Sequence, residues 1–218
     1  MIDFGAARLT MVESQLRPNK VTDQRVLDAF LAVPRERFVP PALAAAAYVD
    51  DDLPLGGGRF LMQPMVLARL MQLARIGPDD AVLEIGAGTG YGTAIAARLA
   101  GRVAGIECDA KLAASATARL AELGLGNAAV IEAPLAQGYR ARAPYQVVLF
   151  EGRVAHIPDA IAAQVAEGGR VVAVLGDAGA MGRAVLMTRN SGVLSRRPVF
   201  DAAVPALPGL ERAPSFVF

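Results

Sequence analysis

Three observations predict an α/β fold built on a doubly wound, mostly parallel sheet. From residue 80 onward short strand patterns alternate with helical ones, the signature of βαβ units whose sheet is covered on both faces. The first of these strands runs into a glycine-rich bend, Gly86 to Gly90, that opens a helix. The last parallel strand, in "EGGRVVAVLG", is entered from a glycine pair.

The elements follow in order. Residues 9–33 hold two short helical patterns broken at "RPNK". In the second, Thr22 is the expected cap and Val26, Leu27, Phe30 and Val33 share one side. Prolines 34, 40 and 41 forbid its continuation. Residues 42–48 predict a short alanine-rich helix, and "DDDLPLGGGRF" a polar, glycine-rich loop. Pro64 suits the first turn of a helix over Met65–Arg75, which Gly77 and Pro78 end. Strands are expected at 81–86, 102–107, 128–132, 145–150 and 169–175, with helices at 90–100, 109–124, 134–138 and 157–166. Antiparallel strands close the chain near 183–189 and 213–218, separated by the turn "PALPG". The expected division is a helical extension and substrate-side loop over 1–78, then a ligand-binding unit over 79–218, in one compact body.

Composition excludes several classes. The 218 residues are 54% hydrophobic and 20% charged, which argues against disorder. A net charge of +1 gives no long-range attraction to nucleic acid or an anionic membrane, so neither partner is expected. No run of 18 apolar residues occurs, and the first residues lack the pattern of a secretory signal. One cysteine and one histidine make a metal site unexpected. Cys108 excludes an internal disulfide and fits a reducing, cytoplasmic setting. The expected readings of single residues are plain: His156 at the surface or a pocket rim, Cys108 as buried filler, Asp50–Asp52 as a solvated loop, Arg35 and Arg37 as structural partners of acids.

The stretch "VLEIGAGTGYG", Val82 to Gly92, carries the chemistry. Ligands of doubly wound sheets sit beyond the carboxyl ends of the strands. A phosphate-binding P-loop needs Lys-Ser/Thr after its last glycine, and Tyr91 stands there. A dinucleotide fingerprint needs a glycine or alanine where Tyr91 again stands. The spacing Gly86-x-Gly88-x-Gly90 instead brings bare backbone to an uncharged or zwitterionic ligand. Glu107 ends the next strand, about 20 residues on, where an acid can accept from both ribose hydroxyls. A packing turn or another nucleotide ligand stays open as an alternative.

Together the bend and Glu107 resemble the class I S-adenosylmethionine (AdoMet) methyltransferases, which implies a Rossmann-like fold and AdoMet as cofactor. That resemblance places Glu84 near the methionine end, with Gly86, Ala87, Gly88, Thr89, Gly90 and Glu107 on the rest of the cofactor. The run "VPRERFVP", then "AYVDDDLPLGGGRFLMQP", then the glycine bend is similar to the protein-L-isoaspartate O-methyltransferase family over roughly residues 10–176. The resemblance implies methyl transfer to the α-carboxylate of isoaspartyl residues in damaged protein, as repair, without a metal. The expected partner is therefore a protein or peptide bearing a carboxylate. The sequence does not report the oligomeric state, and a monomer is favoured.

The chain departs from the family's pattern on the substrate and adenine sides. The family's hydroxyl residues before Gln-Pro are replaced by Phe60 and Met62, which donate no hydrogen bond. Losing such a donor costs roughly 1–3 kcal/mol, or about tenfold to a hundredfold in rate. Pro134 and Leu135 stand for an Asp-Gly pair, Gln146 for an aspartate, and "FEGRVAH" for a run of small residues. Met62 and Gln63 thus mark the acceptor loop, and Arg59 beside them is a candidate clamp for a carboxylate. A binding protein that retains the pocket, and a methyltransferase with another acceptor, are the alternatives.

Overall fold

The computed structural model describes residues 2–177 and 180–211. The chain begins with α1 (Phe4–Met11), capped by the Asp3 side chain on the Ala6 amide, and continues as one π-helical turn over Val12–Leu16. Helix α2 (Gln24–Ala32) is capped by Asp23, whose carboxylate accepts from the Arg25 amide; the expected cap, Thr22, lies one residue too early. Residues 35–38 and 41–46 form 3-10 turns; the second replaces the predicted alanine-rich helix because Pro40 and Pro41 withhold amide donors.

The expected polar loop is a hairpin. Strand β1 (Leu53–Gly56) pairs antiparallel with β2 (Arg59–Leu61) through a turn whose glycines 56, 57 and 58 all take positive φ. Helix α3 (Pro64–Ala74) follows, with Pro64 in its first turn and Arg75 left-handed at its end.

The seven-stranded sheet contains β3 (Ala81–Ile85), β4 (Arg102–Glu107), β5 (Ala128–Glu132), β6 (Tyr145–Val154), β7 (Val165–Leu175), β8 (Gly182–Asn190) and β9 (Val193–Ala202), in the order β5-β4-β3-β6-β7-β8-β9. The first five are parallel, and β8 and β9 are antiparallel additions. Strand order reverses between β3 and β6, which defines the switch point where ligands of such sheets bind. Helices α4 (Tyr91–Ala97) and α5 (Ala110–Glu122) make the crossovers; α6 (Asp159–Ala162) is one turn, shorter than the helix predicted over 157–166, because β7 begins at Val165. The helix expected over 134–138 is a 3-10 turn at Leu135–Gln137, entered from Pro134. The partner of β8 is β9, a mostly exposed edge strand interrupted by Pro198, whose polar sequence hides its strand character. The strand expected at 213–218 lies outside the described residues.

Successive sheet residues serve opposite cores. Val82, Val147, Leu149 and Val172 pack with α2, α3, α4 and the residues before them. Leu83, Val148, Phe150 and Val171 pack with α6 and with Leu207 and Leu210. Phe30 and Phe38 of the extension meet Tyr91 of α4 edge-on at 6.0 and 5.4 Å, all three fully buried. Each such side chain contributes roughly 1.5–3 kcal/mol by burial, so the extension shares the sheet's core.

Candidate active site

The bend after β3 is shaped by its glycines. Gly86, Gly88 and Gly90 have φ of 85°, 55° and 90°, a region that disfavours side chains. The amides of Gly86 and Ala87 both donate to the Ile106 carbonyl at 2.8 and 3.0 Å, and Gly90 donates to Ala87, which closes the bend against β4. Thr89 hydrogen-bonds the Phe38 carbonyl, which ties the extension to the bend.

Glu107 ends β4 fully buried. Its carboxylate accepts from the amides of Gly88, Cys108 and Asp109 at 2.7, 2.9 and 3.1 Å. It also accepts from Arg59, whose Nη2 lies 3.0 Å away and whose Nε lies 3.2 and 3.3 Å from its two oxygens. Burial opposes ionisation, but Arg59 and these amides overcome it and hold the pKa of Glu107 below the ordinary carboxylate value. Arg59, 3% exposed, also donates from Nη2 to the Gly86 carbonyl at 2.9 Å. The sequence points Arg59 at the carboxylate of an acceptor; in the structure its guanidinium meets the carboxylate of Glu107.

A second buried acid, Glu151, is absent from the sequence reading and joins Glu84, which that reading names. Glu84 on β3 and Glu151 on β6 lie on adjacent strands at the switch point, and both press on Gly92. Glu84 accepts from the Thr93 hydroxyl through one oxygen. Among the described residues, Oε1 of Glu84 and Oε1 of Glu151 have no donor; one proton shared between the two carboxyls satisfies both. Burial raises both pKa values, that of Glu84 to about 7, and the Glu84 charge raises that of Glu151 further. The signal for Glu151 was an acid directly after the apolar run of β6, but strand order is needed to see that β6 lies beside β3.

The loop expected to face the acceptor is packed. Met62 is 2% exposed, and its carbonyl accepts from Nη2 of Arg35 at 2.9 Å. Gln63 donates its amide to Asp52 at 2.8 Å, and its side chain reaches the Ala203 carbonyl at 3.4 Å. Asp50 and Asp51 are exposed, as expected of a solvated run, while Asp52 is half-buried; Asp52 accepts from the Gln63 amide, and Asp50 from the Met65 amide in the first turn of α3. Burial raises the pKa of Asp52 to about 6, against the Gln63 hydrogen bond. Arg35, fully buried, pairs with the Ala47 and Met62 carbonyls and stacks on Tyr91 at 4.9 Å instead of meeting an acid directly, whereas Arg37 does pair with Glu122. Gln146 accepts from the Ala81 amide at 2.9 Å and so anchors the start of β3. Cys108 is exposed rather than buried filler, and His156 is exposed.

The residues suit a sulfonium nucleoside. The bend offers bare main chain, Glu107 an ionised acceptor for ribose hydroxyls, and the carboxyl pair a seat where a ligand ammonium would serve as the shared proton does. The space over the bend is filled from two sides. Leu207 packs 2.6 Å from where a Cβ on Gly86 would stand and 2.7 Å from one on Gly152, and Arg59 Nη2 lies 2.9 Å from the former. Residues 205–210 are held there by hydrogen bonds along β6, from Arg153 to Pro205 at 2.8 Å and from Leu207 to Arg153 at 2.9 Å. Between the hairpin and this strap remains a cavity of about 10 Å³, lined by Asp52, Arg59, Phe60, Met62 and Glu151 among others, which admits about one water. Among the described residues no group of three His, Cys, Asp or Glu is placed to hold a metal, and no helix is long and apolar enough to cross a membrane.

Known proteins resemble this chain in sequence and fold. The model of the family "Protein-L-isoaspartate(D-aspartate) O-methyltransferase (PCMT)" matches residues 8–202. The protein-L-isoaspartate O-methyltransferase of Koribacter versatilis is 41% identical over 173 residues, 79% of this chain and 78% of the relative. That of Methylorubrum extorquens is 43% identical over 177 residues, 81% and 77% of the two chains. A solved protein-L-isoaspartate O-methyltransferase superposes with a TM-score of 0.82 at 25% identity, over 94% of this chain and 67% of that one. A Plasmodium falciparum protein described as a beta-aspartate methyltransferase, solved with S-adenosyl-L-homocysteine, shares the fold at a TM-score of 0.78 and 16% identity, over 91% and 96% of the two chains.

Proposed function

The chain belongs to the protein-L-isoaspartate O-methyltransferase family, and on that premise we propose that it transfers the methyl group of AdoMet to a carboxylate of a protein or peptide. The isoaspartyl carboxylate, named by its relatives, is the leading acceptor. The observation that carries the reading is Glu107 at the switch point, buried, ionised and pinned to the glycine bend by the Gly88 amide.

AdoMet, when bound, supplies a methyl on a sulfonium that leaves as a neutral thioether. A carboxylate is already a nucleophile at neutral pH, so this chain needs no strong base. Its residues must align the acceptor and exclude water. Glu107 would hold the ribose hydroxyls, the main chain of Gly86, Ala87, Gly88, Thr89 and Gly90 would lie along the nucleoside, and Glu84 would face the methionine end. The loop Arg59 to Gln63 forms the acceptor side. A repair role in the cytoplasm accords with a chain of this composition. A protein that binds the cofactor without transfer is the second reading, favoured by Met62 where the family carries a hydroxyl.

The test is transfer of labelled methyl from AdoMet to an isoaspartyl peptide, with the aspartyl peptide as control. The expected result is slow transfer to the isoaspartyl peptide alone, raised about tenfold or more by Met62→Ser, which restores a donor at a buried charged group. No transfer by either protein, with cofactor binding intact, would overturn the isoaspartyl acceptor and leave the second reading and a different acceptor.

A further inference from the structure

We infer that Arg59 occupies two positions and orders binding: it closes on Glu107 until a nucleoside displaces it, and it then holds the acceptor's carboxylate. The inference rests on the AdoMet reading above.

The first position is drawn by Glu107. A carboxylate offers about four acceptor sites. Three are taken by the amides of Gly88, Cys108 and Asp109, which belong to the fixed main chain. Arg59 adds two further donors, Nε and Nη2, so five N–H groups already crowd the carboxylate, and only the two of Arg59 can give way to two ribose hydroxyls. Ribose hydroxyls must donate to the same oxygens, so they can enter only as Arg59 leaves. Arg59 Nη2 and Leu207 also stand on the face of Gly86 that a nucleoside would cover. Nucleoside binding therefore depends on the fraction of molecules in which the hairpin and strap have opened, and the apparent dissociation constant is the intrinsic one divided by that fraction.

The second position follows from where Arg59 goes. A guanidinium cannot stay buried without a partner. Arg59 already lines the small cavity shared by Asp52, Phe60, Met62 and Glu151, on the loop whose family counterpart faces the acceptor. Glu151 shares a proton with Glu84 and Asp52 already accepts from the Gln63 amide, so Asp52 offers the displaced guanidinium only part of what it needs, and the wholly unpaired anion to reach that cavity is the carboxylate of the acceptor. A planar fork binds a carboxylate bidentately, which supplies what Phe60 and Met62 lack. Nucleoside first and acceptor second is the resulting order.

Calorimetric titration with S-adenosylhomocysteine, on the full chain, tests both positions. Arg59→Met removes the competitor for Glu107 and should bind the nucleoside about tenfold tighter or more. Arg59→Lys, which keeps the charge but not the fork, should tighten it less; it serves where the methionine variant does not fold. In the nucleoside-loaded proteins an isoaspartyl peptide should bind wild type and bind Arg59→Met at least tenfold more weakly, while nucleoside-free wild type binds it poorly. Unchanged or weaker nucleoside binding by the Arg59 variants overturns the inference and leaves the AdoMet reading standing. Equal peptide binding by loaded wild type and Arg59→Met overturns the second position. No nucleoside binding by wild type, by the Arg59 variants or by Leu207→Ala overturns the AdoMet reading itself.

Discussion

Gly92→Ala sets two effects of opposite sign against each other. Gly92 is the second residue of α4, where alanine should stabilise a helix by about 1 kcal/mol. A Cβ there would overlap Oε1 of both Glu151 and Glu84, and would lie 2.5 Å from Glu151 Cδ. Both carboxyls are closed in by protein, and the one cavity that Glu151 lines holds only about 10 Å³. Overpacking of a filled core costs roughly 1–3 kcal/mol, and separating the proton-sharing pair leaves buried polar atoms unmatched at about 1–3 kcal/mol more. The cost wins, and a net loss of roughly 1–5 kcal/mol is expected. Urea unfolding at pH 6 measures it. In a Glu151→Ala background the same change should cost at least about 1 kcal/mol less, because the main obstacle is gone. A stabilising or neutral Gly92→Ala in wild type would refute the placement of the carboxyl pair.

The same pair predicts a pH dependence. The folded pKa of Glu84 is raised from 4.5 to about 7, so its contribution is fully present below about pH 4.5 and is lost as pH rises through about 7, by roughly 3 kcal/mol. Glu151 shifts in the same direction. Glu151→Gln should therefore gain stability relative to wild type between pH 5 and 8, read as a widening difference in urea midpoints; a constant difference would contradict the shared proton. Arg35→Ala leaves the Ala47 and Met62 carbonyls unpaired and uncovers Tyr91. It should cost about 2–4 kcal/mol and raise the KM for the acceptor more than that for the cofactor, in denaturation and initial-rate measurements respectively.

What was legible in the sequence follows from local chemistry. The glycine bend, Glu107 and the five parallel strands were readable because apolar runs, glycines and strand-end acids are local signals. The hairpin at residues 53–61 was not, since "LPLGGGRF" has too few apolar residues to declare a strand and pairs only across its own glycine turn. Strand β9 hid behind Arg196, Arg197 and Pro198, which suit an exposed edge but mimic a loop. Glu151 and Leu207 required the strand order: one sits beside Glu84 and the other over Gly86 only because β6 lies next to β3. Arg59 was picked out as a carboxylate ligand, but its partner across the fold, 48 residues on, was beyond any local pattern.

The central claim is that Glu107 is a nucleoside seat held shut by Arg59. A crystal structure grown with S-adenosylhomocysteine tests it most directly. The account predicts both ribose hydroxyls on the Glu107 carboxylate, Leu207 lifted from Gly86, and the Arg59 guanidinium turned toward Asp52 and Met62. A nucleoside bound elsewhere while Arg59 still grips Glu107 would contradict it.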